Sequence, residues 1–150
     1  MLVLGLDPGL AITGYGLIEG DGQNLCPVTY GVIRTPAKTP LADRLVELQQ
    51  GLEEIIGSYR PEIAAVEELF FSTNVRTAIM VAQARGVALL TVARAGLRVV
   101  EYTPMQIKQG ITGYGKADKL QVQQMVRLLL NLDEIPRPDE IHVTVHADAV

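Results

Sequence analysis

Short apolar runs broken by glycine and proline open the chain, and longer stretches of helical period follow. Val3, Leu4 and Leu6 read as a buried strand, and Pro8-Gly9 ends it. Residues 13–19 read as a second strand carrying Gly14 and Gly16, and residues 25–34 as a third. Asp21-Gly22 between them is a hairpin signal. Pro36 and Pro40 then break the chain. Leu41, Leu45, Leu48 and Leu52 recur at helical spacing with Asp43, Arg44, Glu47 and Glu53 between them, so residues 41–58 are predicted to form an amphipathic helix. Pro61 stops that pattern, and residues 63–66 form a buried strand ending at Glu67. Residues 74–95 are apolar on most faces, as in a helix that is central or shared with another subunit. Residues 97–102 read as a strand. Thr103-Pro104 is an N-cap followed by proline at the first helical position, opening a short helix through Gln109. A glycine-rich loop at 110–115 and a helix at 117–131 complete the pattern. The order βββαβαβαα predicts an α/β fold: an antiparallel meander, then parallel crossovers.

The chain has 150 residues, which suits one domain with a true core. Its 48% hydrophobic and 20% charged content exclude a disordered chain. No apolar run reads as long enough to cross a membrane, and no basic-then-apolar leader opens the chain, so a cytoplasmic location without membrane contact is expected. The single Cys26 excludes an internal disulfide and a cysteine metal site. The net charge of −4 argues against a nucleic-acid partner, but its distribution argues for one. Residues 70–130 carry eight basic residues against two acids, while both flanking segments are acidic. Charges act over a Debye length of about 8–10 Å, so a basic middle can hold phosphates between acidic ends. By charge alone, an ordinary solvated surface accounts for the pattern equally well.

Asp7 stands at the tip of the first strand beside backbone that lacks bulky side chains. Such a carboxylate suits a divalent metal or a phosphate, and it could equally cap its own turn. Glu67 ends another strand. If the two strands are neighbours, the acids meet at one sheet edge and must share a proton or a cation. Mg²⁺ prefers such oxygen donors, and two ions about 3.5–4 Å apart can drive phosphodiester hydrolysis. Adjacent strand residues point to opposite faces, so only one of Glu67 and Glu68 can face that site. Val66 and Leu69 leave the choice open.

The chain resembles the RuvC family of four-way (Holliday) junction resolvases along nearly its whole length. Gly5-Leu-Asp7-Pro-Gly9, Thr13-Gly-Tyr-Gly16, Ile33-Arg-Thr35, Val66-Glu-Glu-Leu-Phe70, Asn74, Gln83-Ala-Arg-Gly-Val87, Glu101-Tyr102, Gln106-Ile-Lys108-Gln109 and Lys119-Leu-Gln-Val122 carry the resemblance. It implies a ribonuclease H-like fold with a five-stranded mixed sheet flanked by helices, in a single nuclease domain over residues 1–150. It also implies a homodimer that makes paired, symmetric nicks in four-way junction DNA, with two Mg²⁺ ions per site and Mn²⁺ able to substitute. A branch-migration helicase complex is an expected partner. Asp7 matches the family's first acid and Glu67 its second, while Glu68 falls where the family often has a non-acidic polar residue. Phe70 matches an aromatic that stacks on an unpaired base at the junction centre. Lys108 and Lys119 match phosphate contacts. Arg76 and Lys116 join the expected DNA-binding set on charge and position alone.

The resemblance breaks down at the C-terminus. The family opens its last helix with two acids three residues apart, so that both reach one helix face. This chain reads Arg137-Pro-Asp-Glu-Ile-His-Val-Thr-Val-His-Ala-Asp-Ala-Val150. Ungapped spacing from Glu67 lands on Asp139, with His142 three later. The Asp-Ala ending instead lands on Asp148, with His146 two before it. The β-branched residues after Asp139 form helices poorly, which favours Asp148 as the last metal-binding acid, His146 as its catalytic partner and Asp139 as the alternative ligand. The final helix would begin where the chain stops, so either a truncated domain or a damaged allele is expected.

The leading expectation is therefore a structure-selective, metal-dependent endodeoxyribonuclease of recombination and repair. The alternative is a junction-binding protein that has lost cleavage. An ATPase of the actin and hexokinase type, which also follows a first strand with an aspartate, needs a second lobe that 150 residues do not supply.

Overall fold

The computed structural model describes residues 1–21, 24–69 and 74–136. Five strands form one mixed sheet: β1 (Leu2–Asp7), β2 (Ile12–Gly20), β3 (Leu25–Arg34), β4 (Ile63–Glu67) and β5 (Arg98–Tyr102). Their spatial order is β3-β2-β1-β4-β5. β1, β2 and β3 form the antiparallel meander, and β4 lies parallel to both β1 and β5. Four helices accompany the sheet: α1 (Leu41–Tyr59), α2 (Val75–Arg94), α3 (Pro104–Thr112) and α4 (Lys119–Leu129). The predicted order of elements is the observed one.

Alternation along the strands divides the core in two. Leu4, Leu6, Leu17, Ala64 and Val66 face Leu48 and Leu52 of α1 and Ala84, Ala88 and Val92 of α2. Burying a leucine such as Leu48 or Leu52 contributes about 1.5–3 kcal/mol. Val3, Ile63 and Ala65 face the opposite way, with Val100 and Tyr102 beside them. Ile18 of β2 belongs to a separate cluster with Ile107 and Ile111 of α3 and Val122 and Val126 of α4. The helices therefore pair as α1 with α2 and as α3 with α4.

The structure corrects two readings of the pattern. The segment 110–115 is not all loop, because α3 continues to Thr112 and Gly113 ends it in the left-handed region at φ 73°. Ile107 and Ile111 lie on one helix face in the core, and that packing carries the helix through Gly110. The second correction concerns α2, which is long and apolar enough by length and composition to cross a membrane. Its buried positions are mostly small, including Ala78, Ala84 and Ala88, so the helix approaches α1 and the sheet closely. Val75, Ile79 and Leu90 remain exposed.

Candidate metal and nucleic-acid site

The β1–β4 register pairs Leu6 with Val66, so the next residues, Asp7 and Glu67, stand side by side at the same sheet edge. Their facing follows from alternation. Val3 and Ala65 occupy the face away from α1 and α2, and Asp7 and Glu67 lie an even number of residues further along the same strands. Glu68, just beyond the strand, falls in the opposite phase. Both Asp7 and Glu67 are half-buried, whereas Glu68 is exposed. Tyr102, the register partner of Glu67 on β5, extends the row. Burial pushes its phenol up from the ordinary tyrosine range, against the opposing pull of the Arg98 charge, so Tyr102 stays neutral at pH 7.

The turn that carries Asp7 is tightly held. Thr13, fully buried, donates its hydroxyl to the Gly9 carbonyl at 2.6 Å and accepts from the Gly9 N–H at 3.2 Å. A Cβ on Gly9 would collide with the Ile12 carbonyl oxygen, so this position requires glycine. Thr35 donates its hydroxyl to the Leu10 carbonyl. The buried Arg44 of α1 in turn donates to that hydroxyl at 2.9 Å and to the Thr35 carbonyl at 3.3 Å. The carboxylate thus projects from backbone that is fixed on both sides.

A cavity of about 230 Å³ opens at the strand tips, lined by Asp7, Glu67 and Glu68, by Thr77, Val81 and Arg85 of α2, and by Pro104 of α3. Two carboxylates on one face of neighbouring strands are hard oxygen donors, which fit Mg²⁺ or Mn²⁺. Among the described residues, no group of three or more His, Cys, Asp or Glu side chains is gathered to hold a metal. The C-terminal candidates Asp139, His146 and Asp148 lie outside the described residues, as does Phe70. Pro104 borders the cavity, and Lys108 lies one turn further along the same face of α3. Lys116 lies in the turn between α3 and α4, and Lys119 is the first residue of α4; both are exposed. Arg76 is exposed in the first turn of α2, next to Thr77 at the cavity.

The profile of the family described as crossover junction endodeoxyribonuclease RuvC matches residues 3–150. The chain belongs to the RuvC family. It is 60% identical over 141 residues to a RuvC of Heliobacterium modesticaldum, covering 94% of this chain and 87% of that one. It is 59% identical over 140 residues to a RuvC of Desulfitobacterium hafniense, covering 93% and 85% respectively. A T. thermophilus RuvC, solved in complex with Holliday junction substrate, superposes with a TM-score of 0.91 at 34% identity, covering 99% of this chain and 94% of that one. The fold is accordingly that of RuvC, with the five-stranded mixed sheet and flanking helices expected of the ribonuclease H-like class.

Sequence reasoning about the RuvC site missed Arg85. It lines the cavity, donates from Nε to the Glu67 carbonyl at 3.2 Å and forms an ion pair with Glu101. Arg85 and Glu101 each stood within a matching block, but nothing in their spacing pairs a helix residue with a strand residue 16 positions away.

Proposed function

We propose that this chain is a structure-selective endodeoxyribonuclease that resolves four-way DNA junctions in recombination and repair. The observation that carries the reading is the pairing of Asp7 and Glu67 on one sheet face, in a chain belonging to a family of junction endonucleases. Asp7 and Glu67 are its metal ligands, a C-terminal acid, Asp148 or Asp139, is the further ligand, and His146 is the catalytic partner in this reading. Mg²⁺ or Mn²⁺, when bound, supplies Lewis-acid stabilisation of the charge that develops on a phosphodiester under attack by water. The chain's own contribution is to hold two mutually repelling carboxylates in place before that cation arrives. The nuclease is a single domain over residues 1–150 and acts in the cytoplasm with its DNA.

The basic residues position the DNA without reading its sequence. Lys108, Lys116 and Lys119 sit along the unit formed by α3, its turn and α4, which starts at the cavity rim, and Arg76 stands on the α2 side. Phe70 supplies a stacking surface for an unpaired base. The exposed Val75, Ile79 and Leu90 of α2 support a homodimer through that helix. A C2 dimer presents two equivalent sites, which suits the near two-fold symmetry of a four-way junction. A branch-migration helicase complex belongs to the same reading as a partner.

The test is binding and nicking of a synthetic four-way junction and of linear duplex of the same sequence, with Mg²⁺, with Mn²⁺ and with a chelator. Paired nicks confined to the junction and abolished by the chelator are expected. Selective binding without nicks under either metal would instead identify a cleavage-deficient junction-binding protein. A second expectation concerns charge. Lys108→Ala combined with Lys119→Ala should weaken junction binding and make the slope of log affinity against log salt shallower by about 2, because each lost phosphate contact removes about one unit. An unchanged slope would take both lysines off the DNA.

A further inference from the structure

Arg85 has a place in this site that its charge alone does not explain. Its guanidinium is engaged twice, by the Glu67 carbonyl and by the Glu101 carboxylate. The first contact follows from the register of the sheet. At the two ends of β4 the Glu62 carbonyl accepts from Arg98 N–H and Glu68 N–H bonds the Tyr102 carbonyl, and with the β4–β5 register this puts the bonds to β5 on the even-numbered phase of the strand. Glu67 therefore turns its main-chain groups toward β1. With Leu6 opposite Val66, the next donor to the Glu67 carbonyl in a parallel ladder is the N–H of residue 8. Residue 8 is proline and has no N–H. Pro8 thus offers no N–H to the carbonyl of the residue that bears the second carboxylate, and Arg85 Nε donates to that carbonyl from α2.

We infer that Arg85 is a positioning residue for the metal site, fixing the β4 tip at Glu67 through its main-chain carbonyl, with Glu101 orienting the Arg85 fork. The inference rests on the metal-site reading of Asp7 and Glu67. The proline that ends β1 and shapes the Asp7 turn supplies no N–H at this position. One arginine on α2 donates to the Glu67 carbonyl instead and couples the residue of the second carboxylate to the helix. Both partners of the fork are protein groups, so Arg85 acts on metal affinity and not as a DNA phosphate contact. Arginine is suited to the task because a planar fork can serve two acceptors at fixed angles, which a lysine ammonium does less well.

The experiment measures Mn²⁺ binding to the purified full chain without DNA, by calorimetry and by the electron paramagnetic resonance of free Mn²⁺. Parent, Arg85→Met, Arg85→Lys and Glu101→Gln are compared, alongside thermal unfolding and metal-free junction binding. Arg85→Met is expected to raise the Mn²⁺ dissociation constant about tenfold or more, the usual effect of removing a group that orients a ligand. Arg85→Lys should fall between parent and Arg85→Met, and junction binding should not change. Parental Mn²⁺ affinity in a folded Arg85→Met overturns the inference, as does a parallel loss of metal-free junction binding, which would make Arg85 a DNA contact. If Arg85→Met does not fold, Glu101→Gln decides: a severalfold weaker Mn²⁺ affinity supports the inference and an unchanged one overturns it. A parent that binds no Mn²⁺ overturns the metal-site reading itself, an outcome distinct from parent and variants binding equally well.

Discussion

Glu67→Gln is expected to lower junction nicking at least about a thousandfold, while Glu68→Gln leaves it within about twofold. Removing a metal-binding carboxylate forfeits several kcal/mol of transition-state stabilisation, and ~4 kcal/mol corresponds to about a thousandfold in rate. The contrast between two adjacent glutamates comes from the pleat of β4. Glu67 shares the face of Val3 and Ala65 with Asp7, and Glu68 is exposed in the opposite phase, with its N–H on the Tyr102 carbonyl. Glu68 borders the cavity but stands outside the row of Asp7 and Glu67, so its neutralisation should change energies by about 0.5 kcal/mol or less, hence the twofold bound. Single-turnover nicking rates at saturating protein check both values. Comparable losses in the two variants would mean that both carboxylates serve the site, and a larger loss in Glu68→Gln would reverse the assignment.

The adjacency of Asp7 and Glu67 could be anticipated from sequence only on the condition that their strands were neighbours. The residues show where each strand ends, but strand order is set by which faces α1 and α2 cover, and that depends on long-range packing. The choice between Glu67 and Glu68 was open for a related reason. Val66 and Leu69 are both apolar, and the phase becomes visible only when Val3, Ile63 and Ala65 are seen gathered on one side. Local chemistry served better at helix starts. Thr103 with Gln106 and Asp118 with Gln121 both form capping boxes, although Asp118 moved the start of α4 to Lys119 from the expected 117. Glycine misled at position 110, where the buried faces of Ile107 and Ile111 outweighed its low helix propensity. Arg85 was illegible because its task arises from a missing N–H on another strand. No pattern along one stretch of chain records such a vacancy.

Asp7→Asn should be the most severe substitution in the protein. The asparagine keeps the shape of the side chain and removes the charge proposed to draw the cation, and the surrounding turn is held by Thr13, Thr35 and Arg44 independently of it. Fold and junction binding should therefore survive, while nicking falls by at least about a thousandfold. The most direct test of the account is the cleavage of an end-labelled four-way junction by the parent and by Asp7→Asn, side by side in Mg²⁺ and Mn²⁺, with binding measured in the same samples. Paired nicks by the parent that vanish in Asp7→Asn, with junction affinity retained, are the predicted result. Nicking by Asp7→Asn at the parental rate would contradict the assignment of the β1 carboxylate as the centre of the chemistry.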